Sequence, residues 1–307
     1  RGCPYACTFC WEGGDYFQKT KRFSMERIKS ELNYIAKRAK VPDFGLADAN
    51  FGMFQEDIEI AGVIRTLQKK YDWPKSITAA TAKNHKKNTM DIVEILGDTM
   101  PSFSSVQSTD KDVLKKIKRK NVPMEQMALM AELTVQKGGQ SQAEVILCLH
   151  GDSKKTHFKS VFDMLDAGMT FIRMYQHMML PGTEGANTES RKKYSFETQF
   201  RVLPRCFGYY EFRGETFSAT EIEEIVISNN TMSYEDYQDC RNLHLTTEIF
   251  NNDSHSLDIL QFLKKHGIER SEFIKAIHEK ITQGRGKLTD LYAEFREEEK
   301  KNFWEGY

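Results

Sequence analysis

The stretch RGCPYACTFC at residues 1–10 is the most informative part of the chain, because it places Cys3, Cys7 and Cys10 in a C-x3-C-x2-C spacing. A tight loop with this spacing suits an iron–sulfur cluster, since cysteine thiolates are the usual ligands of such clusters. Three thiolates on a four-iron cluster leave one iron open to a small molecule. A zinc site and three buried structural thiols are the alternatives. Zinc needs a fourth ligand, and the nearest histidine is His85, so the spacing favours the cluster.

The remaining cysteines and the charge balance restrict the class of protein. Cys148, Cys206 and Cys240 are widely separated, so we expect small buried side chains in a reducing cytoplasm. Lysine plus arginine and aspartate plus glutamate each number 44, which gives the surface no electrostatic reason to bind nucleic acid or an anionic membrane. The sequence has neither a signal peptide nor an apolar run of the ~20 residues that cross a bilayer. We therefore expect a cytoplasmic protein without nucleic-acid or membrane partners.

The first 190 residues alternate strand-like and helix-like segments. This alternation is typical of an α/β fold in which helices cross over between parallel strands. Because residue 1 already lies in the cysteine loop, we expect a fragment of a longer protein that lacks the strand before this loop. The predicted strands are 44–48, 76–81, 102–108, 142–150 and 171–176, and the predicted helices are 25–39, 57–71, 89–96, 110–118, 123–137 and 153–167.

The pattern changes near residue 190, where we place a domain boundary between 1–190 and 191–307. The run after the boundary, up to Cys206, has no clear period and is predicted to be irregular. Residues 220–228 resemble an edge strand. Helical spacing then dominates in four segments, 233–250, 254–266, 271–283 and 287–299.

The cysteine loop, with Phe9 directly before its third cysteine, resembles the signature of the radical S-adenosylmethionine (SAM) superfamily. The resemblance implies a 4Fe–4S cluster whose open iron chelates SAM, with Phe9 against the adenine. Reductive cleavage of SAM would then yield a 5′-deoxyadenosyl radical. It also implies a partial (β/α)6 barrel whose first strand is missing here, followed by a mainly helical region. An external electron donor such as flavodoxin or ferredoxin would be required.

Three further runs resemble the cobalamin-binding branch of this superfamily: DANFG at 48–52, QSTDKDVLKKIKRKN at 107–121 and LPGTE at 180–184. This resemblance implies a cobalamin-dependent enzyme, most simply a methyltransferase acting on a small molecule, and it leaves cyclisation and rearrangement open. The cobalamin ligand motif D-x-H-x-x-G does not occur in residues 1–307. Two other interpretations stay open, a methylthiotransferase-like enzyme and a non-catalytic iron–sulfur scaffold.

Polar residues that follow the predicted strands are the candidate ligands of SAM, since sites in such barrels lie at the carboxyl ends of the strands. We expect Asp48 and Asn50 to bind its amino-acid end, and Gln107 and Ser108 to bind its ribose.

After the last strand, Tyr175, Gln176 and His177 are expected to face the barrel mouth, where Met178 and Met179 could line it. His150 is interpreted as a structural hydrogen-bond partner. The basic run at 115–120 could bind phosphate, but a solvated helix face is the favoured interpretation, because the total charge is neutral. The sequence assigns no catalytic side chain.

Overall fold

The structure is a computed structural model that describes residues 2–83, 86–252 and 256–304. In its first part, strands and helices alternate as the sequence predicts. The elements are α1 (Asp15–Gln18), α2 (Met25–Ala36), β1 (Asp43–Phe51), α3 (Glu56–Tyr71), β2 (Ser76–Thr81), α4 (Lys86–Leu96), β3 (Ser102–Gln107), α5 (Lys111–Lys116), α6 (Met124–Gln136), β4 (Ser141–Leu147), α7 (Lys154–Asp166) and β5 (Phe171–Gln176).

Local capping explains several of these helix starts. The Ser24 side chain accepts a hydrogen bond from the Arg27 amide at the start of α2, as predicted. Asp110 caps α5 in the same way, and Ser153 forms a capping box with Thr156 at α7. Every strand predicted between residues 44 and 176 is confirmed, although β1 extends to Phe51 and β4 ends at Leu147.

The five strands form two parallel sheets, β1–β2 and β3–β4–β5. The Thr81 hydroxyl donates to the Phe103 carbonyl, which brings β2 beside β3. Because the strands of each sheet are parallel, their carboxyl ends meet at one edge of that sheet. The polar residues that follow these strands are therefore brought to the same side of each sheet.

Two apolar cores hold the helices onto these sheets. The first joins β1 and β2 to α2, α3 and α4 through buried side chains such as Ile64, Ile77 and Ile92. The second joins β3, β4 and β5 to α6 and α7, with Val145 and Met164 fully buried. Packing thus covers one face of β3–β5 and leaves the other face for polar residues.

The region after Gln176 differs from the prediction. Helix α8 (Thr188–Tyr194) precedes a long antiparallel hairpin of β6 (Glu197–Phe212) and β7 (Glu215–Ser228), so the expectation of an irregular run is wrong. The sequence hides β6 because Pro204 and Gly208 interrupt it. The register shifts between Val202 and Phe207, where pairing is lost locally, whereas Gly208 pairs with Ala219 in the ladder. The domain boundary near residue 190 stays a prediction.

Four predicted C-terminal helices are confirmed as α9 (Tyr234–Thr247), α10 (Leu257–Lys265), α11 (Arg270–Thr282) and α12 (Lys287–Lys301). Helix α9 packs against α7 and against β7, which attaches the helical region to the parallel strands. Within the residues described, none of the helices is both long and apolar enough to cross a membrane.

Candidate active site

The cysteine loop is a compact turn fixed at three points. Within it, the Cys10 amide donates to the Cys7 carbonyl over 3.2 Å. The Thr8 amide donates to Ile117, the Thr8 carbonyl accepts from Gly185 at 2.7 Å, and Trp11 Nε1 donates to Pro181 at 3.0 Å. These contacts hold the loop against the turns that follow α5 and β5.

Its cysteines face inward and have cationic neighbours. Cys3 and Cys7 are buried, and Cys10 is half-buried. Lys83 Nζ lies 3.7 Å from Cys3 Sγ, and Arg119 Nη1 lies 3.9 Å from Cys7 Sγ. Two cationic side chains therefore lie beside two of the three cysteine sulfurs.

The chemistry of this donor set fits an iron–sulfur cluster. In the part of the chain that the structure describes, no three histidine, cysteine, aspartate or glutamate side chains converge as they would around a single metal ion. In a four-iron cluster each thiolate instead binds a different iron, so the three sulfurs surround the whole cluster and not a single ion. Burial raises the pKa of the Cys10 thiol, with a contribution from Cys7. Iron binding would remove that proton, because a coordinating thiol is deprotonated.

Asn50 is a buried polar side chain at the end of β1. It is 0% exposed, and neither Oδ1 nor Nδ2 has a hydrogen-bond partner among the described residues. A buried amide without partners is costly, so it indicates a polar ligand. The neighbouring Asp48 carboxylate accepts from the Asn50 backbone amide at 2.9 Å. Asp48 borders a cavity of 760 Å³ between α2 and β1, which Asn50 does not line.

Gln107 and Ser108 follow β3 and differ in their surroundings. Gln107 has a left-handed backbone with φ of 68° and is buried, and its Oε1 atom has no partner within the described ranges. The Ser108 hydroxyl accepts from the Asp110 amide and lies 3.3 Å from Ser160 Oγ. The buried Oε1 atom of Gln107 is therefore available to a ligand, whereas the contacts of Ser108 hold the end of β3 against α7. The ribose contacts expected of both stay predictions.

Phe9 belongs to a small apolar cluster beside the cysteine loop. It packs against the buried side chains of Val113, Ile117 and Leu149. This position gives one side of the loop an apolar wall, which is compatible with the predicted adenine contact. The contact itself stays a prediction.

Tyr175 lies on the face of β5 that turns away from the helical core. It is 44% exposed and hydrogen-bonds to Glu144. Glu144 lies opposite Ser105 and Arg173 in the strand register, so these polar side chains form a row across the three strands. Burial raises the pKa of Glu144, while Ser105, Tyr175 and the nearby arginines lower it.

Other predictions for the end of β5 need correction. Gln176 Nε2 donates to Tyr237 Oη and to Glu299 Oε1, both at 3.0 Å, so this side chain faces the C-terminal helices. His177 Nδ1 lies 3.1 Å from the Cys148 carbonyl, and burial lowers the pKa of His177 to about 3. Met179 is buried in the core near β7. The reason is that α9 and β7 cover this strand end.

Arg119 and Lys83 are the functional candidates that sequence reasoning missed. Arg119 is 7% exposed, although it lies in the basic run at 115–120 that is predicted to be solvated. Its guanidinium also donates to the Ser105 carbonyl. The clue in the sequence is that Arg119 stands two residues after the apolar Ile117. Both side chains are buried after α5 ends, whereas the lysines of the run are exposed, namely Lys115, Lys116, Lys118 and Lys120. Lys83 gave no signal, because it is a single lysine after β2.

Two curated proteins resemble the chain over more than nine tenths of its length. No protein-family model matches the chain. The 2-(S-pantetheinyl)-carbapenam-3-carboxylate methyltransferase of Streptantibioticus cattleyicolor is 28% identical over 284 residues, covering 91% of this chain and 41% of the relative. The cobalamin-dependent radical SAM methyltransferase TokK of Streptomyces tokunonensis is 27% identical over 287 residues, covering 92% and 41%. The chain thus spans about two fifths of the length of these curated relatives.

A solved structure shares the fold. The radical SAM methyltransferase TsrM from Kitasatospora setae, with cobalamin and a [4Fe–4S] cluster bound, superposes with a TM-score of 0.50 at 14% identity, covering 69% of this chain and 38% of that one. Over more than nine tenths of its length the chain is therefore similar to two methyltransferases, one of which is named as a cobalamin-dependent radical SAM enzyme, and it shares the fold of TsrM.

Proposed function

We propose that the complete protein is a cobalamin-dependent radical SAM methyltransferase that acts on a small molecule. The observation that carries this proposal is the cysteine loop, whose three thiols are fixed beside two cations and near strand ends with unpartnered polar groups. Both curated relatives are named as methyltransferases. When bound, the cluster and SAM supply a 5′-deoxyadenosyl radical, and cobalamin supplies the methyl group.

In this proposal Cys3, Cys7 and Cys10 hold the cluster. Lys83 and Arg119 lie next to two of these sulfurs, where their charges offset the negative charge of the thiolates. A nearby cation favours the reduced form of a cluster, because reduction adds negative charge. Flavodoxin or ferredoxin is the proposed electron donor.

In the same proposal, residues at the strand ends bind SAM, and the polar face of the sheet β3–β4–β5 contacts the substrate. Asp48 and Asn50 bind the amino-acid end of SAM, and Gln107 binds its ribose. Phe9 supplies an apolar wall for the adenine. The row that contains Glu144 and Tyr175 then faces the substrate, because it lies on the polar side of the sheet β3–β4–β5.

We also propose that the five parallel strands form part of a (β/α)6 barrel, completed by a strand before the cysteine loop. This arrangement would put the two parallel sheets around one lumen, with the cluster at the carboxyl ends of the strands. The chain would divide near residue 190. The six free cysteines agree with a reducing cytoplasm as its compartment.

Anaerobic reconstitution with iron and sulfide tests the cluster. We expect broad visible absorption that is lost on Cys7→Ala and is kept when Cys148, Cys206 and Cys240 are all changed to Ala, since these three lie elsewhere. The opposite pattern would exclude the assignment. Purification of the complete protein with bound corrinoid, and corrinoid-dependent methylation of a small molecule, tests the reaction.

Cleavage of SAM separates the two remaining interpretations. A non-catalytic scaffold would hold a reduced cluster without producing methionine and 5′-deoxyadenosine. A methylthiotransferase would cleave SAM without requiring corrinoid. Full turnover in the absence of corrinoid would therefore refute the cobalamin-dependent proposal.

A further inference from the structure

A cavity of 740 Å³ lies on the outer side of the cysteine loop. Lys115, Lys116 and Lys118 line it from α5 and the turn that follows, and Lys193 lines it from α8. None of the predicted SAM-binding residues at the ends of β1 and β3 borders this cavity. The cavity is therefore distinct from the candidate SAM site, although the cysteine loop contributes residues to both.

Two buried polar side chains form its floor. Thr8 is 3% exposed and His150 is 1% exposed, and the described chain offers no hydrogen-bond partner to Thr8 Oγ1 or to either ring nitrogen of His150. The rings of Tyr194 and Phe196 pack edge-on against His150, with centroids 4.8 and 5.2 Å away. The interpretation of His150 as a structural hydrogen-bond partner is therefore wrong. It is held by aromatic contacts, and its polar atoms remain for a ligand.

Two ammonium groups from different elements converge on this floor. Lys116 lies against Gly151, where an added Cβ would be 2.1 Å from its Nζ atom. Lys193 is close enough to His150 for its charge to lower the pKa of that ring, which burial and this charge together bring to about 4. His150 is therefore neutral and offers one donor and one acceptor.

The rim also carries three carboxylates, on Asp112, Glu184 and Glu189. Glu184 is paired with Lys118 at 2.6 Å, so its charge is compensated. Asp112 and Glu189 also line the cavity, where Lys116 lies against Gly151, the chain neighbour of His150, and Lys193 is close enough to act on the His150 ring. With Lys118 and Glu184 paired, three lysines face two carboxylates, so the lining carries a net positive charge.

We propose that this cavity binds the phosphate group of a small phosphorylated compound. Lysine ammonium groups bind phosphate as point charges. The Thr8 hydroxyl and a neutral imidazole provide hydrogen bonds to its oxygens. The volume lies within the range of about 300–1,000 Å³ that is usual for small-molecule sites. Because Thr8 lies between Cys7 and Cys10, the ligand would contact the loop that carries the cluster.

Calorimetry of the reconstituted protein with inorganic phosphate and pyrophosphate tests this site directly. We expect saturable binding at low ionic strength. Lys116→Ala and Lys193→Ala should each weaken pyrophosphate binding about tenfold, because each removes a charged hydrogen bond. The matched controls are Lys111→Ala and Lys192→Ala, two exposed lysines on α5 and α8 that do not line the cavity. They should change affinity less than about twofold.

His150→Phe provides a second test, because it keeps an aromatic ring among its neighbours and removes the two nitrogens. We expect about tenfold weaker pyrophosphate binding with unchanged visible absorption. Absence of saturable binding by the unaltered protein would overturn the proposal. Equal losses in the cavity and control lysine variants would also overturn it, since they would indicate only a diffuse surface charge. None of these measurements involves SAM or the methylated substrate.

Discussion

Replacing Asn50 with leucine should stabilise the protein and impair its use of SAM. The side chain is fully buried, and its two polar atoms have no partner in the described structure. An unsatisfied buried polar group costs about 1–3 kcal/mol, and leucine has a similar shape without that cost. We therefore expect Asn50→Leu to raise the unfolding midpoint of the SAM-free protein by a few degrees. In our proposal the same change also removes a hydrogen bond to SAM, so it should weaken SAM binding about ten- to a hundredfold.

Asn229→Leu is the matched control. Asn229 is also buried, but its Nδ2 atom donates to the carbonyls of Leu149 and Asp152, both at 3.1 Å. Leucine at this position removes both of these hydrogen bonds and also the acceptor of the Thr231 amide, so the unfolding midpoint should fall while SAM affinity stays the same. Thermal denaturation of the reconstituted protein and calorimetry with SAM give both readouts. If Asn50→Leu lowers the midpoint as the control does and leaves SAM affinity unchanged, Asn50 is a structural residue and our reasoning fails.

Three further predictions concern charged groups. Arg119→Gln should lower the reduction potential of the cluster by about 60–120 mV, because it removes a cation beside Cys7; a potentiometric titration that finds no shift, or an equal shift in Arg173→Gln, would contradict this. Asp48→Ala should weaken SAM binding about tenfold without loss of iron, and calorimetry that shows unchanged affinity would exclude a SAM contact. Burial keeps the folded-state pKa of His177 at about 3 against 6.5 in the unfolded chain, so its contribution to stability is complete above pH 6.5 and is lost as the pH falls toward 3. That loss is about 2 kcal/mol by pH 5, and denaturant unfolding at pH 7 and 5 should show a smaller difference in His177→Gln.

Much of the α/β part follows from local sequence. Helix α2 begins where Ser24 can cap it, and β5 occupies the predicted residues 171–176. These signals are local, because a cap or a hydrophobic period depends on residues within a few positions. Strand β6 is the exception. Its pairing with β7 comes from residues up to 31 positions away, such as Glu197 and Ser228, and overrides the interruption at Pro204.

The sequence also identifies part of the candidate site. Cys3, Cys7 and Cys10 can be predicted because their spacing is a local property of one loop. Asn50 can be predicted because it lies near the end of a strand. The direction in which each side chain points is harder to predict from the sequence. Tyr175 and Gln176 are adjacent, yet alternation along the strand turns one toward Glu144 and the other toward Tyr237.

The sequence alone identifies the cysteine loop, the order of the strands along the chain and the resemblance of its motifs to a known superfamily. Only the tertiary structure brings Arg119 to Cys7 across 112 positions, and only it joins Lys116 and Lys193 around one cavity. A basic run has the same local pattern whether its side chains are solvated or face a buried thiol. The difference arises when the chain folds, because the turn after α5 hydrogen-bonds to the cysteine loop through Ile117 and Thr8, and this contact buries Arg119 beside Cys7.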